Sequence, residues 1–449
     1  MNVHLVTLGC PKNLVDSEAS VTLLRRSGFA MTDDPAAADV LVVSACSFLQ
    51  ASWRETVDEV ARLGEYKNGG KRLVLMGCLP RHRDLDLPRE LPMVDLFLPS
   101  GAHARLPELL APPKSRRRTG QVVSARGADR FAALAGRDLL TAPHTAYVKV
   151  AEGCNRACTF CAIPAIRGRQ HARPAGDIVL EVEQLVARGV REVTLLAQDI
   201  VSWRDGRARI TDLAAELSRT GVEWIRVFYV HPAGLEVTTA SRLLETPGVV
   251  HYLELPIQHA SSRLLARMKR GYDRRHLESV LTGVRAALPD VVLRSEVIVG
   301  FPGESDAEFE ELQAFVQEFR FDSLGIFTYS PEPGTVAARI EGAPDRGLVA
   351  HRSAALAETQ EAVSFGARAR FLGTRQRVLV DREMGADEGV FDGCRYAGRF
   401  YGQALEVDGE VYIDADDLEV GSFVDVTITE TDTFDLKGVP ATPTPATED

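Results

Sequence analysis

Cys154, Cys158 and Cys161 stand in the run Cys-Asn-Arg-Ala-Cys-Thr-Phe-Cys, a C-x3-C-x2-C spacing that puts three thiols on one short loop. Zinc takes four protein ligands, or three and a water where it is catalytic. Three thiolates on so short a loop suit three irons of a 4Fe–4S cluster, leaving the fourth iron open to a small ligand. Three more cysteines, Cys10, Cys46 and Cys78, are far apart in sequence but alike in setting, each just past a short apolar run (3–8, 40–43 and 73–76). A single buried thiol is an ordinary core residue. Three at the ends of three successive strands are harder to explain that way, because ligands of a parallel sheet collect beyond the carboxyl ends of its strands. The seventh cysteine, Cys394, lies alone in an acidic stretch and reads as a packing or turn residue. An odd number of thiols, six of them in two groups, points to metals or catalysis in a reducing compartment rather than to disulfides.

The elements that must carry these loops follow from apolar patterning. The three opening strands alternate with helical stretches such as 17–26, which Gly28 can stop, so residues 1–115 are expected to form a parallel-sheet α/β domain. From Ala111 to about Pro143 the texture changes to Pro112-Pro113, Lys114 and the basic triplet Arg116, Arg117 and Arg118. This reads as a connection, its triplet a solvated linker or a contact for RNA or an acidic partner.

A second strand–helix series spans 140–370, with strands expected at 147–150, 193–196, 225–230, 252–255, 293–299 and 324–329. Asp177 can cap a helix carrying Ile178, Val182, Leu185 and Val186, with Gly189 at its end. Ser305-Asp306-Ala307-Glu308 is a capping box before an apolar face of Phe309, Leu312, Phe315, Val316 and Phe319. Six strand–helix units fall short of the eight of a complete TIM barrel, so an open, partial (β/α)6 barrel is expected. The Cys154 loop follows its first strand, on the rim where barrel active sites are built.

Helical residues 346–370 lead to a third region, 371–438, with β-forming runs at 377–380, 400–407, 411–413 and 423–429 and a hairpin signal at Asp408-Gly409. A small antiparallel β-barrel fits. Residues 439–449, rich in Pro, Thr and Ala, read as a disordered tail.

The chain has 449 residues, 45% hydrophobic and 26% charged, which suits about three globular domains of roughly 150 residues. That composition excludes a disordered tail protein, a fibrous repeat and a small disulfide scaffold. No run approaches the ~18 apolar residues of a membrane span. The opening residues lack a basic flank before an apolar core, so a cytoplasmic protein is expected.

The segment Glu152-Gly153-Cys154-Asn155-Arg156-Ala157-Cys158-Thr159-Phe160-Cys161-Ala162-Ile163-Pro164, followed by Arg167-Gly168, resembles the signature of radical S-adenosylmethionine (SAM) enzymes. More narrowly it resembles the methylthiotransferases, and the resemblance covers nearly the whole chain. It implies an N-terminal methylthiotransferase domain, a radical SAM partial barrel and a C-terminal TRAM domain. It further implies that Cys154, Cys158 and Cys161 hold a 4Fe–4S cluster whose open iron is chelated by SAM, with Phe160 near the adenine. Reductive cleavage of SAM would then give a 5′-deoxyadenosyl radical. Cys10, Cys46 and Cys78 would hold a second 4Fe–4S cluster that carries the sulfur to be transferred.

Val297-Ile298-Val299-Gly300-Phe301-Pro302-Gly303-Glu304 resembles the segment flanking the nucleoside in such barrels, which makes Ile298, Gly300 and Gly303 expected SAM contacts. It departs from the usual G-x-I-x-G-x-x-E pattern: Glu296 replaces the first glycine and the acid comes one place late. Gln198-Asp199 ends the second barrel strand on the active rim and could bind SAM or substrate, although Asp199 could equally cap a helix. His231 and His259 follow strands and read as structural groups. The sequence does not name the catalytic residues beyond the cluster ligands.

Two methylthiotransferase classes modify either an adenosine in tRNA or an aspartate of the small-subunit ribosomal protein S-twelve. Gly9-Cys10-Pro11-Lys12-Asn13, followed by Val15-Asp16-Ser17-Glu18, resembles the second class; the first typically has Gln-Met where Pro11-Lys12 stand. Charge agrees. Residues 371–438 hold 16 Asp plus Glu against 6 Lys plus Arg, a balance of −10, while the whole chain is −11. Such a domain repels phosphate backbones and attracts a basic protein, unless its acids serve solubility alone.

The expected reaction is therefore transfer of a methylthio group to the β-carbon of that aspartate. The expected partners are the ribosomal protein, an electron donor such as flavodoxin or ferredoxin, and a sulfur donor, with no tRNA substrate and no membrane. The alternatives are the tRNA-modifying activity and, from another class, a two-cluster electron-transfer protein, which would ordinarily use four cysteines per cluster.

Overall fold

In a computed structural model that describes residues 1–67, 70–81, 86–111, 120–124, 129–385 and 388–441, the three cysteine-tipped strands lie side by side. They belong to a six-stranded parallel sheet in the order Ala30–Met31, Asn2–Thr7, Val40–Ala45, Arg72–Gly77, Leu96–Pro99, Gln121–Val122. Val40–Ala45 is buried along its whole length, with Leu41, Val43 and Ala45 in one apolar cluster and Val40 and Val42 in another. That is the pattern of a central strand covered on both faces.

The first helix is longer than expected: Pro11–Arg26, starting directly after Cys10 and ending before Gly28 at φ 83°. Its first turns were masked in the sequence because Lys12, Asn13 and Asp16 are polar yet buried, so no apolar period shows there.

The supposed connection at 111–143 is in part structural. Gln121–Val122 is the edge strand of the N-terminal sheet. Arg137 is fully buried, donating to Glu18 at 2.7 Å on the N-terminal side and pairing with Glu181 of the barrel. The basic triplet Arg116, Arg117 and Arg118 lies outside the described residues.

The barrel has the six expected parallel strands, Thr145–Lys149, Glu192–Leu196, Trp224–Val227, Tyr252–Glu254, Val292–Val299 and Ser323–Thr328, but in two three-stranded ladders. Between the third and fourth strands no ladder forms among the described residues; a bridge from Ile225 to Val249, a bond from Val230 N–H to the Glu254 carbonyl (3.2 Å) and one from Tyr229 N–H to the Glu254 carboxylate help join the halves. Tyr229, at φ 62°, turns the chain out of the ladder at this seam.

The helix Ala175–Val186 has Pro174 rather than Asp177 at its cap; Asp177 sits in its first turn, where the helix dipole favours a carboxylate. The capping box at Ser305 and Glu308 forms, and Phe309, Leu312, Phe315, Val316 and Phe319 of Asp306–Phe319 are buried. Among the described residues no helix is long and apolar enough to cross a membrane.

The C-terminal unit is a closed five-stranded barrel of Arg375–Glu383, Tyr396–Phe400, Val411–Ile413, Leu436–Pro440 and Phe423–Thr431. Three details differ from expectation. The pair Val411–Ile413 and Leu436–Pro440 is parallel. Residues 401–407 form turns rather than strand, so Asp408-Gly409 lies in the long connection of the antiparallel pair Tyr396–Phe400 and Val411–Ile413 rather than in a tight hairpin turn: Asp408 is buried against Arg294 (3.2 Å) and accepts from Tyr252 Oη at 2.7 Å. Val439 and Pro440 belong to a strand rather than to a tail, whose residues from 442 lie outside those described.

This small barrel closes the amino ends of the large barrel's strands. Arg399 bridges its own Asp381 (2.7 Å) to Glu192 (2.6 Å), the first residue of the second barrel strand, and His144 Nε2 donates to Asp381 at 3.0 Å. The acids at Asp414, Asp416, Asp417 and Glu419 are exposed. A basic protein docked on this domain, as its charge suggested, would thus sit at the end of the barrel away from the cysteines.

The Arg399 network makes the domain interface acid-sensitive. Burial alone would raise the Asp381 carboxyl, but hydrogen bonds from His144 and Arg399 hold it below its ordinary value. The stability this supplies is complete above the unfolded carboxylate pKa of about 3.9 and is lost as pH falls through the lower folded value. Asp381→Asn should therefore cost about 1.5–3 kcal/mol at pH 7. Urea unfolding followed from pH 7 to pH 3 should show the gap from wild type closing, and a gap unchanged with pH would contradict this account.

Candidate active site

Gly9 stands at φ 89°, and a Cβ there would lie 2.5 Å from Cys46 Cβ, so only glycine lets the Cys10 turn approach Cys46 so closely. Asn13, one turn into the helix, then braces the three strand ends. Its Nδ2 donates to the carbonyls of Leu8 (3.2 Å) and Ala45 (2.9 Å), and its Oδ1 accepts from Cys78 Sγ at 3.6 Å. Cys10, Cys46 and Cys78 are thereby gathered at one edge of the sheet, as their positions after the strands predicted.

The second trio is held by the barrel. Gly153 packs where a Cβ would meet the Arg169 carbonyl at 2.3 Å, which turns the chain into the cysteine loop. Thr159 ties that loop to the carbonyls of Met268 (3.0 Å) and Arg267 (3.1 Å), and Arg270 donates to Cys158 Sγ at 3.3 Å. Arg156 is clamped between Asp199 (2.6 Å) and the Ala233 carbonyl (3.0 Å), so Asp199 serves as a counter-charge rather than a side-chain cap.

All six cysteines line one cavity of about 400 Å³ between the N-terminal sheet edge and the carboxyl ends of the barrel strands. Phe160, Gln198, Tyr229, His231 and Glu296 line it as well. Both amide atoms of Gln198 are buried without a protein partner, which suits a residue aimed at a ligand. His231 accepts from Ala233 N–H at 3.0 Å, and burial, aided by Arg270 and Arg156, pushes it down to about 2, so it is neutral at any ordinary pH. His259 is fully buried and accepts from Ser261 N–H at 3.0 Å, a structural histidine.

The segment after Glu296 divides. Ile298 and Phe160 pack on the same apolar cluster around Leu264 and Phe301, but Ile298 does not line the cavity. Gly300 lines a different cavity, and Gly303 makes a turn, its N–H donating to the Gly342 carbonyl at 2.7 Å. The structure thus brings seven of the ten expected site residues together at one cavity, leaving Ile298, Gly300 and Gly303 outside.

A buried ionic network missed by sequence reasoning joins the two halves. Arg167 donates to Cys78 Sγ through Nε (3.3 Å) and Nη2 (3.2 Å), to Glu152 at 2.7 Å and to Asn13 Oδ1 at 2.5 Å. Lys149 pairs with Glu152 at 3.1 Å and with Asp16. Arg167 stood in the signature-like stretch, but nothing in the sequence named its partners.

This environment separates the thiols. Burial pushes Cys78 up to about 12, with Cys46 and Cys10 adding to the rise against the pull of Arg167. Cys161 is likewise pushed up to about 12 by burial, with Cys158 and Cys154 adding. Cys46 and Cys154 are raised as well. Cys10 is lowered: burial opposes this, but Lys12, Arg167 and helix-terminal N–H groups prevail.

Opposite Cys10, burial draws Lys12 down to about 8. Burial with the neighbouring Glu296 pushes Glu254 up to about 8, so this carboxyl favours the neutral form near pH 7, and burial also raises Glu296.

Grouped thiols are the donor type that iron–sulfur clusters use, and metal binding would have to displace the protons that burial favours on Cys46, Cys78, Cys154 and Cys161. Among the described residues no three His, Cys, Asp or Glu side chains gather around a single ion. The fit to two clusters rests on the donor set and on the shared cavity.

Family models agree with this division of the chain. The Radical SAM superfamily matches residues 148–316, the Uncharacterized protein family UPF0004 residues 2–99, and the TRAM domain residues 372–440. Ribosomal protein uS12 methylthiotransferase RimO of Sorangium cellulosum (strain So ce56) is 40% identical, over 97% of this chain and 90% of the relative. The protein of the same name from Desulfosudis oleivorans is 38% identical, over 98% and 99%.

Among solved structures, the radical SAM methyltransferase TsrM of Kitasatospora setae, with tryptophan substrate and a SAM analog bound, superposes with a TM-score of 0.57. That match has 14% identity and covers 81% of this chain and 89% of that one, a likeness of fold. With 40% identity to a curated relative over nearly its full length, the chain belongs to the RimO family of ribosomal protein uS12 methylthiotransferases, within the radical SAM superfamily.

Proposed function

We propose that this chain transfers a methylthio group to the β-carbon of an aspartate in ribosomal protein uS12. The observation that carries the reading is the single cavity onto which both cysteine trios open. Cys154, Cys158 and Cys161 would hold one 4Fe–4S cluster and Cys10, Cys46 and Cys78 the other; with SAM bound, these groups supply one-electron chemistry, the sulfur and the methyl group.

The chain's own residues do the rest. Arg270 and Thr159 fix the loop of the second trio. Asn13 and Arg167 hold Cys78 against the first. Phe160 offers an aromatic wall and Gln198 one unpartnered amide, a donor and an acceptor, for a ligand. Tyr229, whose hydroxyl burial keeps protonated, shields the space between the trios from water that would quench a carbon radical.

The reading requires a one-electron donor of the flavodoxin or ferredoxin kind and a sulfur donor, and it places the protein's work in the cytoplasm with the ribosome. Four cysteines per cluster would serve a simple electron carrier, which has no use for a cavity between its clusters.

Deleting the protein from its cell should leave uS12 without the methylthio mass and tRNA nucleosides unchanged, read by mass spectrometry of both. A lost methylthioadenosine with intact uS12 would overturn the assignment in favour of the tRNA class.

A further inference from the structure

Lys12 is a cavity cation that the structure leaves without an ion pair, its acidic neighbours Cys10, Glu254 and Glu296 acting on it only through space. Its side chain is buried, and its Nζ rests 3.4 Å from the centroid of the Tyr229 ring. Among the described residues it makes neither an ion pair nor a side-chain hydrogen bond. The other cations lining the cavity are all engaged. Arg156 is paired with Asp199, and Arg167 with Glu152 and Asp16. Arg270 donates to Tyr272 Oη (2.9 Å), the Pro256 carbonyl (2.8 Å) and Cys158.

Burying an ammonium costs several kcal/mol. A desolvated cation–π contact returns only part of that, so a directly bonded anion would still be a gain. A carboxylate entering the same cavity has the converse deficit and would be matched by it.

Position selects which carboxylate. Lys12 follows Cys10 by two residues and stands on the side of the N-terminal trio, whereas Arg156 and Arg270 stand at the other trio. A ligand group at Lys12 therefore lies where the transferred sulfur would be delivered. We propose that Lys12 binds the side-chain carboxylate of the substrate aspartate through Nζ, holding its β-carbon between the two trios. This rests on the aspartate reading above. A carboxylate could also come from the methionyl part of SAM, and the test separates the two sources.

The full-length chain, reconstituted anaerobically with iron and sulfide, is titrated with a uS12 peptide carrying the modified aspartate and with the same peptide carrying asparagine, read by fluorescence anisotropy. A hydrogen bond to a charged group of about 1.5–3 kcal/mol corresponds to a preference of roughly tenfold to more than a hundredfold for the aspartate peptide in wild type. Lys12→Gln should bind the two peptides equally, and Lys12→Arg should restore part of the preference. Iron content and melting temperature, compared with wild type, guard against misfolding. A preference retained by Lys12→Gln overturns the role of Lys12 and leaves the aspartate reading standing. A wild type without preference counts against the aspartate reading and the proposal together. If Lys12→Gln weakens SAM binding while the peptide preference survives, the carboxylate at Lys12 is that of SAM and the proposal fails.

Discussion

A chain with Ala at Cys154, Cys158 and Cys161 should keep about four of the about eight irons of the reconstituted protein and should no longer cleave SAM reductively. The two trios are held by different parts of the fold. Asn13 and the edge of the N-terminal sheet gather Cys10, Cys46 and Cys78. Thr159, Arg270 and the barrel gather the others. Neither scaffold needs the other's thiols, so each trio should fill alone.

The reciprocal variant, Ala at Cys10, Cys46 and Cys78, should still cleave SAM and form no methylthio product. Iron by colorimetric assay and 5′-deoxyadenosine by chromatography read both arms. Loss of all iron from the first variant, in a chain that melts like wild type, would show that the sites are not independent. Methylthio product from the second would remove the N-terminal trio from the reaction.

What the sequence revealed and what it hid divide by range. The cysteine positions were legible because each depends on its own strand: an apolar run ends and the thiol follows, and the sheet brings the ends together. The capping box at Ser305 was legible for the same local reason. The charged network was not, because its partners are remote. Asp16 and Lys149 are 133 residues apart, and Arg137 sits in a stretch with no apolar period that looks like a linker until Glu18 and Glu181 close on it.

Local signals also misled where a tertiary partner outweighed them. Asp408-Gly409 has the composition of a tight hairpin, but Arg294 and Tyr252 draw Asp408 inward, and the connection lengthens. Leu436–Pro440 carries a glycine and a proline that lower its β-propensity, and it is recruited by the barrel's need to close. The segment at 296–304 runs beside the cavity, but a one-dimensional pattern cannot say which side each residue faces. Glu296 faces the cavity and Gly300 a neighbouring one.

Replacing Arg167 by Met should cost about 3–5 kcal/mol of stability and empty the N-terminal trio of iron. Arg167 and Lys149 balance Glu152 and Asp16 in a network whose four side chains are all at most 4% exposed. Buried pairs of this kind contribute little beyond an apolar replacement of the whole set, but removing one member leaves an uncompensated charge. Here Lys149 alone would face two carboxylates, and Arg167 could no longer donate to Cys78 or Asn13, the residues that hold the first trio's edge together. Arg167→Lys keeps the charge without the planar fork and should recover stability more fully than iron. Stability is read by urea unfolding of the metal-free chain. Iron is read in a background already lacking Cys154, Cys158 and Cys161, so that only the N-terminal trio can contribute. A loss below about 1 kcal/mol would mean that the network does not carry the contact between sheet and barrel, because surface pairs already account for that much. Full iron in the Arg167→Met background would free Cys78 from any dependence on Arg167.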